Sequence, residues 1–106
     1  MKTLITSVGN SLESKLDLRF GRAMWFCVYN PETNECEFLE NLNVNVNGGA
    51  GTKAAETAAE LGISKIISGD FGPKAKPLLE RLKIQMIIMP DNSKSIQQII
   101  ETMNFK

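Results

Sequence analysis

The sequence predicts an α/β fold: one mixed five-stranded sheet with the order β-β-β-α-β-α-β-α and helices covering it. Three observations carry this. Up to Leu42 the chain holds short β-rich runs without helical period. Beyond it, helical and strand patterns alternate, which implies parallel strands joined by right-handed crossovers. The length, 106 residues with 42% apolar side chains, suits a single domain spanning 1–106. A chain of this size buries roughly 65% of its unfolded surface, enough for a core without staples.

Thr3-Leu4-Ile5-Thr6-Ser7-Val8 is a first strand, stopped by Gly9-Asn10, and Asn10 to Leu18 is polar and irregular. Met24-Trp25-Phe26-Cys27-Val28-Tyr29 is apolar at nearly every position, as a strand buried on both faces should be. Asn30-Pro31-Glu32-Thr33-Asn34 is a turn, and Glu35 to Leu42 returns antiparallel. Asn43 to Gly49 alternates asparagine and valine, but asparagine is a poor strand former, so a mobile loop is expected. Thr52 to Leu61 is alanine-rich and helical, with Gly62 placed to cap its C-terminus. Lys65-Ile66-Ile67-Ser68 is a buried strand. A second helix ends near Leu82. Pro77 is tolerated only in a first turn, so that helix should begin near Pro73 or Lys74. Gln85 to Met89 is the fifth strand. Pro90-Asp91-Asn92-Ser93 then opens a helix whose Ile96, Ile99, Ile100 and Met103 recur at helical spacing, with Asp91 as its cap.

Composition excludes several functions. Twelve basic and twelve acidic residues give no net charge, against a nucleic-acid binder driven by phosphate neutralisation. There is no histidine, hence no histidine-dependent nucleophilic triad and no imidazole metal ligand. Two cysteines are too few for a disulfide framework. No apolar run is long enough to span a bilayer, and Met1-Lys2-Thr3-Leu4 leads straight into the first strand without room for a signal peptide. These features point to a cytoplasmic protein without membrane or nucleic-acid partners.

Three loops precede the three helices: Asn47-Gly48-Gly49-Ala50-Gly51, Ser68-Gly69-Asp70-Phe71-Gly72 and Pro90-Asp91-Asn92-Ser93. With parallel strands they gather at one sheet edge, where α/β proteins bind ligands. Helix starts offer free N–H groups and a positive dipole end, which favours an anion. Arg19, Arg22, Lys53 and Lys74 lie near these loops in sequence and would add charge. Gly49-x-Gly51-x-x-Ala54 fits a loose dinucleotide fingerprint, but it follows a polar loop rather than a strand, and Gly51-Thr52-Lys53 lacks the order of a phosphate loop. A nucleotide is therefore not expected, although a small nucleotide- or phosphate-metabolite-binding enzyme or sensor using the same crevice is the alternative. Two-metal nuclease chemistry needs converging carboxylates; the first strand has none, and Asp70 reads as a turn residue. Cys27 and Cys36 fall on neighbouring strands. One register would let them face each other, to bind a soft metal or form a bond, but two small buried hydrophobes is the preferred reading. Phe20, between Arg19 and Gly21, either walls the crevice or packs the hairpin.

Three segments taken in order, Leu18-Arg19-Phe20-Gly21-Arg22-Ala23, Gly49-Ala50-Gly51-Thr52-Lys53-Ala54-Ala55-Glu56 and Ser68-Gly69-Asp70-Phe71-Gly72-Pro73-Lys74-Ala75, resemble the dinitrogenase iron–molybdenum cofactor biosynthesis family. The resemblance runs from the first strand to about Pro90. It implies a ribonuclease H-like fold without nuclease activity. It also implies a non-enzymatic carrier for an anionic metal–sulfur cluster or its precursor, iron–molybdenum–sulfur or molybdenum–copper–sulfur, bound non-covalently, with a recipient apo-enzyme or assembly protein as partner. On this resemblance Arg19, Phe20, Gly21 and Arg22 form one wall of the cluster site. Asn47 to Thr52, with Gly48, Gly49 and Gly51, form its floor, and Gly69 to Pro73, with Gly72, form the other wall. Many relatives carry histidine just before the glycine-rich loop, where this chain has Asn45-Val46-Asn47. Pro77 is a second departure, falling where relatives run a continuous helix.

Overall fold

The computed structural model describes residues 1–104; the last two residues of the expected domain, 105–106, lie outside them. The elements are β1 (Lys2–Ser7), β2 (Trp25–Asn30), β3 (Glu35–Glu40), α1 (Ala50–Glu60), β4 (Ile63–Ser68), α2 (Ala75–Arg81), β5 (Gln85–Ile88) and α3 (Ile96–Asn104), in the expected order. They build one five-stranded sheet, ordered β3-β2-β1-β4-β5. β2 runs antiparallel to β1 and β3, whereas β1, β4 and β5 are mutually parallel. The C-terminal ends of β1, β3, β4 and β5 therefore share one edge. No helix among the described residues is long and apolar enough to cross a membrane.

Side chains alternate across a strand, so each central strand feeds two cores. Leu4, Phe26, Val28 and Ile66 face α1 and α2, where Ala54, Ala55, Ala58, Ala75 and Leu79 complete one cluster. Ile5, Cys27, Tyr29 and Ile67 face the other way and meet Ile96, Ile99 and Ile100 of α3. The alanine stripe is what lets α1 lie close to the sheet. Each isoleucine that α3 buries contributes roughly 1.5–3 kcal/mol, which makes the periodic apolar face the main hold on that helix.

The turns follow their chemistry. Asn34 takes a positive φ of 60°, and its N–H donates to Asn30 O at 2.8 Å, closing the β2–β3 hairpin. Gly62, with φ of 73°, ends α1 through a bond from its N–H to Ala59 O at 3.1 Å. Pro77 is the third residue of α2, inside the first turn, where its missing N–H removes no helical bond.

Strand ends differ from expectation by one or two residues, β3 stopping at Glu40 rather than Leu42 and β4 starting at Ile63 rather than Lys65, and two helix starts differ as well. α1 starts at Ala50 rather than Thr52, because Gly49 in the left-handed region serves as N-cap and Lys53 N–H already bonds Gly49 O at 2.9 Å. Gly51 thus belongs to the first helical turn, not to the loop. α3 starts at Ile96, and Asp91 is not its cap. Ser95 Oγ accepts from Gln98 N–H at 3.2 Å while Gln98 Oε1 accepts from Ser95 N–H at 2.8 Å, a reciprocal capping box. Asp91 instead closes a turn upstream, accepting from the Ser93 N–H at 3.0 Å and hydroxyl at 2.6 Å.

Candidate functional site

The site is set by where β1 ends. Thr6 and Ser68, at the C-terminal ends of β1 and β4, are buried, and their hydroxyls share a hydrogen bond at 2.9 Å. Thr6 Oγ1 also lies 2.6 Å from Asp17 O, and Asp17 N–H donates to Thr6 O at 2.9 Å. Asp17 is thereby pinned over the sheet edge and is only 2% exposed. Its Oδ1 accepts from Arg19 N–H at 3.0 Å and Nε at 3.1 Å; its Oδ2 accepts from Arg19 Nη2 at 3.1 Å and Met24 N–H at 3.2 Å. Asn41, at the end of β3, holds the same segment from the other side. Its Nδ2 donates to Gly21 O at 2.9 Å and Ala23 O at 2.8 Å. Leu18 to Ala23 is therefore a stiff wall, gripped by one buried carboxylate and one buried amide.

Gly21 and Gly69 let that wall meet α1 and the loop after β4 backbone to backbone, and Gly51 brings the two helix starts together. A Cβ on Gly21 would lie 2.4 Å from Gly51 N and 2.6 Å from Ala50 C. On Gly69 it would lie 2.7 Å from Leu18 Cα and O. On Gly51 it would approach Ala75 Cβ to 3.2 Å. The contacts enclose an open cleft of about 390 Å³, lined by Leu18 to Arg22, Ala50, Gly51 and Asp70 to Gly72. The buried rings of Phe20 and Phe71 pack 5.3 Å apart, tilted by 46°, so Phe20 both lines the cleft and belongs to the core.

The first turn of α1 opens on this cleft. It has no side-chain cap and no acidic residue of its own, so the N–H groups of Ala50, Gly51 and Thr52 are left without a capping side chain. The arginines contribute less than their sequence positions suggest. Arg19 is bound bidentately by Asp17, which neutralises its charge and raises its basicity, by hydrogen bonding first and by charge second. Arg22 lines the cleft, yet its Nη1 and Nη2 donate to Val44 O at 2.7 Å and Val46 O at 3.0 Å, strapping down the loop after β3. Asp70, also on the cleft, accepts from Gly72 N–H at 3.2 Å and brings a negative charge. Lys53 and Lys74 are exposed and stand outside the lining. Attraction for an anion here rests on backbone amides more than on side-chain charge.

Of the residues singled out from sequence, Arg19, Phe20, Gly21, Arg22, Gly51 and Gly72 line the cleft together. Asn47, Gly48 and Gly49 are exposed on the approach to α1, Thr52 lies one residue beyond the lining, Gly69 supports Leu18 from behind, and Pro73 is exposed past Gly72. The expected third loop is elsewhere. Leu16 N–H bonds Lys94 O at 3.4 Å, Lys15 Nζ bonds Ser93 O at 3.0 Å, and Ile96 N–H bonds Ser14 O at 2.8 Å, which ties Pro90 to Ser95 against the chain before Asp17. The segment between β1 and β2 takes its place. Sequence reasoning missed Asp17, Asn41 and Leu18; Asp70, read from its position as a turn or helix-entry residue, lies in the wall that the resemblance implied.

The cysteines are not directly opposed. The β2–β3 register pairs Cys27 with Phe38 and Cys36 with Tyr29, leaving the two thiols as diagonal neighbours on the α3 face. Both are free; Cys27 is buried and Cys36 half-buried. Burial pushes both thiols above the usual cysteine range. No group of three metal-binding side chains occurs among the described residues.

Comparison with known proteins agrees with this architecture. The apo orange protein from Desulfovibrio gigas superposes with a TM-score of 0.89 at 28% identity, covering 96% of this chain and 85% of that one. A putative NifB protein from Thermotoga gives 0.81 at 25% identity, with 96% and 85% covered. An uncharacterised protein of Methanocaldococcus jannaschii is 32% identical over 91 residues, 83% of this chain and 75% of its own length. The family model described as dinitrogenase iron-molybdenum cofactor matches residues 1–104, and the chain belongs to that family.

Proposed function

We propose that the cleft binds an anionic metal–sulfur cluster or its precursor as cargo, of the iron–molybdenum-cofactor or molybdenum–copper sulfide type. In this reading the protein is a cytoplasmic, non-enzymatic carrier in metallocluster assembly, and it passes the cluster to a recipient apo-enzyme or assembly protein. The observation that carries the reading is the uncapped first turn of α1, opening on a cleft whose walls touch it backbone to backbone. Sulfide-rich anions are large and diffuse. Several N–H donors in a glycine-lined surface suit them without any imidazole ligand. Membership of the cofactor family supports a metallocluster role. We take the fold as ribonuclease H-like without nuclease chemistry, since β1 carries no carboxylate.

Titration of the purified protein with tetrathiomolybdate and copper tests this. A visible absorption band that survives desalting, with molybdenum retained, is the expected result. Colourless protein without retained metal would remove the proposal. Phosphate groups also suit a helix start, so a nucleotide panel in thermal shift belongs in the same experiment. Saturating stabilisation by a nucleotide, with none by the thiometalate, would favour the alternative of a nucleotide- or phosphate-metabolite-binding enzyme or sensor.

A further inference from the structure

We propose that Cys27 and Cys36 form a second, independent site, a two-thiolate seat for one thiophilic d10 cation such as Cu(I) or Ag(I), under α3 and apart from the cleft. The β2–β3 register sets the two thiols on the same sheet face, in the cluster packed against α3. Their diagonal placement decides what they can hold. Diagonal Cα atoms on an antiparallel pair stand roughly 7–8 Å apart. A disulfide needs Cα atoms within about 6.8 Å, so direct oxidation would require the strands to shift. A bridging ion relaxes that limit, because two metal–sulfur bonds of about 2.3 Å let the sulfurs stand up to about 4.6 Å apart. No third histidine, cysteine or carboxylate joins them among the described residues. That leaves the pair short for zinc, which takes four ligands in structural sites, and selects an ion satisfied by two soft donors. Cys36 lies half-exposed on the edge strand, which gives a route in, while Cys27 lies fully buried against Ile5 and α3, which excludes competing water.

The step balances simply. Each S–H bond breaks, two sulfur–metal bonds form, two protons leave to solvent, and no electron moves. Affinity therefore rises with pH, by up to about a hundredfold per unit while both thiols are protonated in the free protein.

The test is anaerobic titration of the reduced protein with Cu(I) supplied from a coloured chelator that reports its loss. One equivalent is expected to transfer to the wild type with a thiolate-to-metal band in the ultraviolet, and none to Cys27→Ala or Cys36→Ala. Cys36 is half-buried on an edge strand, so Cys36→Ala should keep its circular dichroism spectrum and thermal midpoint. Arg22→Ala, altered at the cleft and at the Val44–Val46 loop but not under α3, should still take one equivalent, which separates this site from the cargo proposal. No transfer to folded wild type, or transfer to Cys36→Ala, would overturn the inference. An intramolecular disulfide formed by diamide in the folded protein would also overturn it, by showing that the pair is a redox couple.

Discussion

Replacing Gly21 by alanine probes the packing on which the cleft depends. The new methyl would sit 2.4 to 2.6 Å from Gly51 N, Ala50 C and Gly51 Cα, where ordinary contact begins at 3.4 Å. All three atoms are backbone, so no side chain can swing aside. Either the Leu18–Ala23 wall or the first turn of α1 must retreat by about 1 Å, against Asp17 and Asn41 on one side and the alanine core on the other. Overpacking of this kind costs about 1–3 kcal/mol, and the absence of a flexible neighbour places Gly21→Ala at the upper end. For a domain of this size that lowers the thermal midpoint by about 10 °C. Because the displaced atoms are the amides proposed to face the ligand, thiometalate affinity should fall at least about tenfold, a loss of about 1.4 kcal/mol. Gly62→Ala is the control. Its φ is positive and nothing lies within 4 Å, so it should cost about 1 kcal/mol in backbone strain and leave binding alone. Thermal unfolding and titration of both variants measure the pair. Wild-type stability and affinity in Gly21→Ala would refute the claim that these two segments touch.

Other outcomes follow from single side chains. Asp17→Ala should lose about 2–3 kcal/mol in urea unfolding, mostly from stranding the Arg19 and Met24 amides; the exposed Arg19 guanidinium adds under about 1 kcal/mol. Asp17→Asn should recover part of that loss, and equal losses would contradict the assignment. Ser95→Ala should cost about 1 kcal/mol by breaking the α3 capping box, whereas Asp91→Ala should cost clearly less in the same measurement. Asp91 titrates below the ordinary aspartate range because the Ser93 hydroxyl, then its N–H, donate to the carboxylate. The depressed value belongs to the folded state, so the turn's contribution is present above the unfolded pKa and lost as pH falls through the folded one. Ser93→Ala should move the Asp91 titration upward in carbon-detected NMR, and no movement would contradict the turn.

Much of this fold was legible because hydrophobic periodicity is local. The apolar run of β2 and the Ile96, Ile99, Ile100, Met103 stripe each announce their element. Helix starts were less legible. The glycines around Ala50 lower helix propensity, which hides that α1 begins among them. The Ser95-x-x-Gln98 box was written in the chain but stood behind a stronger-looking Pro90-Asp91 turn. The cleft was half legible. The resemblance put glycines 21, 51 and 69 in the site, although sequence could not say which backbone each would meet. Asp17 and Asn41 gave no signal, because the groups they hold are reached only once β1, β2 and β3 are aligned. The spent charge on Arg19 and Arg22 was invisible for the same reason: a count of basic residues does not record which carboxylate or carbonyl already holds them.

Amide-detected NMR during thiometalate addition tests the convergence of separate turns on one anion most directly. The N–H signals of Ala50, Gly51 and Thr52 should move together with those of Phe20, Gly21, Phe71 and Gly72 at a single saturating stoichiometry. Shifts confined to the α3 face, or scattered over exposed lysines without saturation, would contradict the account.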